Sequence, residues 1–220
     1  MPAVRSVVNW VDMGWIILPG LGAAALLIVL FVLVTDGRYF GKRLTYWVYD
    51  FVGPVVFSAR SEAKQWHALL VSIDLRGSES ILDVGTAAGD LPLSIAGSPD
   101  FQGQAVGVDW SPRMIEAARR EASRRGLEGR ARFEVVDVRK GLPFAAGEFD
   151  VVFCLGLLET LPEPERVLEE LKRVLKLDGV MVLSLEWYEQ HLGTLGLGDL
   201  KVVPCRGHHD VVIARSSRKG

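Results

Sequence analysis

The residues best placed to do chemistry lie in two short stretches. Ile81–Asp90 reads Ile-Leu-Asp-Val-Gly-Thr-Ala-Ala-Gly-Asp, a buried strand running into a glycine-bearing turn and then a helix. Ala105–Asp109 reads as a second strand that ends on a carboxylate. A strand, a tight turn, a helix and a second strand with a terminal acid form a unit that cradles a nucleotide. Gly85 and Gly89 allow a small molecule close to the backbone. The carboxylate of Asp109 suits the two hydroxyls of a ribose.

Two nucleotide-binding patterns do not fit. A dinucleotide fingerprint needs glycine at the first, third and sixth positions of its turn. Counted from Gly85, those positions hold Gly85, Ala87 and Asp90, and a carboxylate at the sixth repels a pyrophosphate. A phosphate-binding P-loop needs Gly-Lys-Ser/Thr, and no such triplet follows. The turn therefore suits a nucleoside without a phosphate chain.

At these residues the chain resembles the class I S-adenosylmethionine-dependent methyltransferases. Leu82–Gly89 is similar to the family's first motif, with Ala87 in place of its middle glycine. Val106–Ile115 matches the second strand and the start of its helix, and Phe133–Val138 the third strand with its adenine-facing acid. Leu142-Pro143-Phe144 with Phe149–Val152 matches the fourth strand. Leu157–Pro162 and Leu171–Gly179 match the next helix and the lead into the fifth strand. The resemblance covers roughly residues 60 to 215, and five motifs in order are a specific signal.

The resemblance implies S-adenosyl-L-methionine as cofactor. It assigns cofactor contact to Gly85, Thr86, Ala87 and Gly89 in the turn, with Asp83 shaping the loop near the cofactor's amino-acid end. Asp109 takes the ribose, Trp110 lies beside the adenine, and Asp137 with the Val138 backbone meets the adenine amine. Leu155 and Gly156 line the methyl-transfer side, where the resemblance also implies cofactor contact for Leu155. Alanine fits at position 87 provided the position does not need positive φ. The implied chemistry is displacement at a sulfonium methyl, which needs proximity, alignment and exclusion of water. A base is needed only for a protonated acceptor, and Glu159, Tyr188 and His191 are weak candidates. Relatives often carry Glu-His where this chain has Glu159-Thr160. A non-catalytic relative that keeps the fold as an interaction module is the alternative from another class.

The elements that position these residues alternate strand and helix, which calls for a mostly parallel sheet covered on both faces. The fold class is α/β, a Rossmann-like arrangement. Ser111 caps a helix over Pro112–Arg125 with proline at its first position and Gly126 after its end. Another helix opens near Pro164 and stops at Gly179, followed by a fifth strand over Val180–Leu185. His209–Arg215 reads as the final strand, which the resemblance makes antiparallel in a seven-stranded sheet. Only about 23 residues separate those two strands, including a Trp187–Gly198 loop. Ser61 caps a helix through about Ser72 with Ala63, Trp66 and Leu70 inward. Net charge −2 and an isoelectric point near 6.1 give no electrostatic footprint for nucleic acid. Cys154 and Cys205 make neither a metal spacing nor a disulfide framework, and no metal is implied.

The N-terminus carries something more. Residues 14–34 run 21 residues without a charge, about 31 Å as a helix, which matches a bilayer core. Trp10 and Trp15 flank one end, Tyr39 and Phe40 the other. The reading is an uncleaved anchor; a signal peptide and a buried helix compete, but Val-Leu-Val-Thr-Asp-Gly is a poor cleavage site. Arg38, Lys42 and Arg43 outnumber Arg5, so the catalytic domain should be cytoplasmic on a single-pass anchor. Residues 39–57 are rich in aromatics interleaved with Lys42 and Arg43, suited to a membrane interface or to the domain's own surface. The expected organisation is 1–36 tail and anchor, 37–75 interfacial and lid helices, and 76–220 cofactor-binding domain. A lid formed by residues 36–75 beside an anchor points to a lipophilic acceptor. Tyr49-Asp50, Trp66 and Gly89-Asp90 resemble quinone-ring methyltransferases, while Gly53–Phe57 is similar to bacterial phosphatidylethanolamine N-methyltransferases. Both stay open, as does a soluble substrate. Gly14, Gly20, Gly22 and Ala23–Ala25 suit helix pairing into a homo-oligomer, which crosslinking in membranes would test.

Overall fold

The computed structural model describes residues 49–51, 53, 54, 63–184, 198–203 and 211–215. The chain divides into two compact units, Met1–Phe51 and Val52–Gly220, and the second holds the sheet. The predicted span at 14–34, most of the aromatic segment at 39–57 and the Ser61 cap lie outside the described residues. Among the described residues, no helix is long and apolar enough to cross a membrane.

The strands read from the sequence form one sheet. In chain order the elements are α1 (Ala63–Ile73), β1 (Ser80–Val84), α2 (Asp90–Ala96), β2 (Gln104–Asp109), α3 (Pro112–Arg125), β3 (Ala131–Val135), β4 (Phe149–Cys154), α4 (Pro164–Val174), β5 (Leu175–Ser184), β6 (Gly198–Val203) and β7 (Val211–Arg215). The sheet order is β3-β2-β1-β4-β5-β7-β6. The first five pair in parallel, and β7 runs antiparallel to both β5 and β6. The expected final antiparallel strand is therefore present, beginning at Val211.

Alternation along the strands separates two cores. Ile81, Phe133, Phe153, Val182 and Ile213 face a core shared with Trp66 and Leu69 of α1, Leu93 of α2 and Ile115 of α3. Leu82, Val106, Val152, Met181 and Val212 face the other, with Val167, Leu168, Leu171 and Val174 of α4. A period of two in the strands and of 3.6 in the helices gives both faces a cover. Trp66 and Leu70 of α1 turn inward as expected, joined by Leu69.

Two boundaries differ from the sequence reading. Gly179 does not end α4; the helix stops at Val174 and the chain enters β5 at Leu175 without a loop. Leu175 pairs with Phe149 ahead of a register shift, so residues 175–177 are drawn into the sheet. Asp178, at φ 64, and Gly179 form a bend inside the strand. A Cβ at Gly179 would lie 2.7 Å from the Leu175 side chain, so the bend folds back tightly on its own start. The second difference is β6, which takes up residues 198–203 beyond the expected loop.

Close packing beside the first motif makes one glycine critical. Gly107 sits in mid-β2, where a Cβ would fall 2.7 Å from the Phe133 ring and from the Thr86 hydroxyl. Gly107→Ala should destabilise the domain by about 1–3 kcal/mol through overpacking, read as a lowered midpoint in chemical denaturation.

Candidate active site

The strand order reverses between β1 and β4, and open α/β sheets bind ligands at the carboxyl ends of strands at such a point. Every motif residue named for the first turn lies at that end of β1. The Gly85 and Thr86 N–H groups both donate to the Val108 carbonyl, at 2.9 and 3.0 Å, which hangs the turn on β2. Gly85 and Gly89 both have φ 83, a conformation that glycine adopts without strain. A Cβ on Gly85 would stand 3.2 Å from Leu157, so the turn and the loop after β4 approach closely across the crevice. A Cβ on Gly89 would collide with the Phe133 ring at 2.6 Å and with Ala118 of α3 at 2.9 Å. Gly85 thus makes room for Leu157, while Gly89 makes room for Phe133 and Ala118.

Ala87 corrects an expectation. Its φ is 48, so the position needs the left-handed conformation that alanine was expected to avoid. Its N–H donates to Asp109 Oδ2 at 3.1 Å, and that bond holds the conformation. The left-handed region costs an L-residue about 1–2 kcal/mol.

Asp109 ends β2 only 4% exposed. Its Oδ1 accepts the Ser111 N–H at 2.9 Å and its Oδ2 the Ala87 N–H. Ser111, fully buried, accepts the Met114 N–H with its own hydroxyl and starts α3. The carboxylate is thereby oriented by backbone donors from two elements. Trp110 next to it is half-buried.

Asp83 lies in β1, 5% exposed. Burial pushes its carboxyl up from 3.8 to about 7; the Thr86 hydroxyl opposes this, while the charges of Asp109 and Asp90 reinforce it. The Thr86 hydroxyl meets no acceptor with good hydrogen-bond geometry, so we read its influence as that of a nearby dipole. Asp137 follows β3 and starts the 3₁₀ turn Val138–Lys140. The Arg139 guanidinium grips its carboxylate at 2.7 and 2.9 Å and holds its pKa below the ordinary range. The Val136 N–H donates to the Asp109 carbonyl at 2.8 Å, so the loop that carries Asp137 is tied to the end of β2. Val138 is buried.

On the opposite lip, half-buried Leu155 packs on the core beneath β4. The Gly156 N–H donates to the hydroxyl of buried Ser184 at 2.7 Å, which joins this loop to the end of β5. Ser184 had no sequence signal of its own, since one serine ending an apolar strand is unremarkable by type. Glu159 is exposed on the turn Leu158–Thr160. Tyr188 and His191 lie outside the described residues. Cys154 is free and buried, and burial raises its thiol well above the ordinary value. Of two surface grooves, one of about 620 Å³ beside α4 is lined in part by Val138 and Arg139 of the loop after β3, and one of about 420 Å³ lies between α2 and α3.

The methyltransferase domain family matches residues 75–199, more than half of the chain. The chain belongs to that family. It is 33% identical over 121 residues to a ubiquinone/menaquinone biosynthesis C-methyltransferase of Citrifermentans bemidjiense, covering 54% of this chain and 51% of that one. It is also 33% identical over 112 residues to a phosphatidylethanolamine N-methyltransferase of Cereibacter sphaeroides, covering 50% of this chain and 52% of that one. The chain spans about half the length of the curated relatives it matches. A SAM-dependent methyltransferase structure from Aquifex aeolicus superposes with TM-score 0.61 over 74% of this chain and 98% of that one, at 21% identity, which fixes the fold. The family's cofactor, S-adenosyl-L-methionine, fits the residues present. Gly85 makes the turn without a side chain where Leu157 closes in at the switch point, and Asp109 stands preoriented as an acceptor for ribose hydroxyls.

Two outcomes follow from this geometry. Ala87→Gly should raise stability by up to about 1 kcal/mol, because glycine meets φ 48 without steric cost but loses more entropy on folding; denaturation midpoints measure it. For Asp83, the folded state holds a proton between pH 3.8 and about 7 that the unfolded state has released. Its contribution to stability is full below the lower value and is lost as pH rises through the upper one. The melting temperature of Asp83→Asn relative to the parent should therefore climb from pH 5 to pH 8, and a falling difference would contradict the burial of this acid.

Proposed function

We propose that the protein is a membrane-tethered S-adenosylmethionine-dependent methyltransferase whose acceptor is lipophilic, either a phospholipid headgroup amine or a quinone-type ring. The observation that carries the catalytic half is Asp109, held by the Ala87 and Ser111 N–H groups at the end of β2, beside the glycine turn of the switch point. A non-catalytic module would have no need of a carboxylate so fixed at a strand end with a left-handed alanine holding it.

S-adenosylmethionine supplies an activated methyl group on a sulfonium centre. The chain's own part is binding and alignment. The turn after β1 fixes the amino-acid side, Asp109 the ribose, and Asp137 the base, while Leu155 and Gly156 border the face where an acceptor enters. Holding two reactants in line converts an encounter into a near-unimolecular step, which is the main contribution such a site makes. An acceptor with a neutral amine or an enolised ring needs little more. Exposed Glu159 is the described residue available to take a proton from one that does.

Support for a lipophilic acceptor comes from outside the crevice. The charge-free run at 14–34 and the aromatic, basic stretch at 39–57 precede the domain, which would bring its mouth to a bilayer. The names of the two relatives concern a quinone and a phospholipid, both membrane-soluble. The basic residues Arg38, Lys42 and Arg43 put the domain on the cytoplasmic side in this reading.

The test is methyl transfer from tritiated S-adenosylmethionine into membranes of the source cell, with solvent extraction and an Asp109→Ala control. Label should enter the organic phase, and the control should lose at least about tenfold, since it strips paired hydrogen bonds to an ionised group. Label confined to the aqueous phase would keep the enzyme but reject the lipophilic acceptor. A control as active as the parent would reject the crevice.

A further inference from the structure

Arg139 had no role in the sequence reading, yet among the described residues it makes every hydrogen bond that the Asp137 carboxylate accepts. Oδ1 takes the Arg139 Nε–H at 2.7 Å and the Arg139 backbone N–H at 3.3 Å; Oδ2 takes Nη2–H at 2.9 Å. An ionised carboxylate offers about four acceptor positions, so Arg139 fills all but one of them. The Lys140 ammonium, 3.9 Å from Oδ2, is beyond hydrogen-bond reach and 83% exposed. The remaining position belongs to Oδ2.

We propose that Arg139 is a positioning residue for the adenine subsite, clamping Asp137 so that one acceptor position, on Oδ2, is presented to the exocyclic amine of the cofactor's base. The inference rests on the reading of this crevice as an S-adenosylmethionine site. A side-on guanidinium pair fixes the plane of the carboxylate as well as its place, which a point charge does not. The clamp works over a short loop. Val136 is bonded to Asp109, and Lys140 and Gly141 close the 3₁₀ turn onto the Asp137 and Val138 carbonyls at 2.9 and 3.0 Å. With both ends of the loop tied, Arg139 removes the remaining freedom of the Asp137 side chain. A fixed acceptor with a single open position favours a donor at the purine 6-position and repels a carbonyl there. The groove beside α4 has Arg139 on its wall, next to Val138.

The test is calorimetric binding of two ligands to the full chain at pH 7: S-adenosylhomocysteine, and its analogue with purine in place of adenine. Arg139→Ala should weaken S-adenosylhomocysteine about three- to tenfold, the worth of one oriented hydrogen bond, and leave the purine analogue within about twofold. Arg139→Lys should restore less than half of the loss. The pH profile adds a readout that a structural role would not move. Without the guanidinium the Asp137 carboxyl returns toward its ordinary range, so binding to Arg139→Ala should fail at a higher pH than the parent on acidification. Equal weakening of both ligands, or of neither, would overturn the proposal. An Asp137→Ala protein that binds S-adenosylhomocysteine as the parent does would overturn it while leaving the cofactor reading intact. A parent that binds neither ligand would remove both.

Discussion

The site depends on one carboxylate held between two backbones. Asp109 accepts from Ala87 in the turn after β1 and from Ser111 at the head of α3. Those two bonds lock three elements at a single point, because the turn also hangs on the Val108 carbonyl and Ser111 caps its helix. The left-handed backbone of Ala87 goes with it: in that conformation its N–H donates to Oδ2. Buried charge without such donors would cost several kcal/mol, so the turn cannot relax without stranding the acid.

Beneath this point the sheet provides rigidity on both faces. Phe133 is the shared contact: a Cβ at Gly89 or Gly107 would strike its ring, and Arg119 of α3 donates twice to its carbonyl. The first motif, β2, β3 and α3 are therefore packed around one side chain. On the other lip, Gly156 and Ser184 join the ends of β4 and β5. Both banks of the crevice are pinned to strand ends, which suits a reaction that asks for alignment more than for acid or base.

Much of this was legible in the sequence because it is local. The Ser111 cap, Pro112, Gly126 and the period of α3 define that helix to the residue. The strand alternation marks both cores. What escaped depends on partners distant in the chain. Gly179 has the look of a helix stop, but Phe149 on β4 draws Leu175 into the sheet four residues earlier. The φ of Ala87 follows from Asp109, 22 residues on. Ser184 becomes a site residue only when β4 and β5 lie side by side, Leu157 only when β4 lies beside β1, and β6 exists because β7 offers it an edge. Arg139 is a different case. It is two residues from its partner, yet an arginine after an aspartate is common on any surface, and only the three bonds to one carboxylate distinguish it.

The sheet's two margins carry a consequence for handling the domain. At one edge β3 shows Arg132 and Glu134, paired at 3.0 Å, to solvent; at the other, β6 shows Lys201 beside Val202, which is 53% exposed. A strand margin offers unpaired amides to any other chain as a template, and charged side chains along it discourage the match. Both margins carry charge in this way: the Arg132–Glu134 pair on β3, and Asp199 and Lys201 on β6. Edge-to-edge stacking of the isolated domain through either strand would have to bring those charges against a second copy.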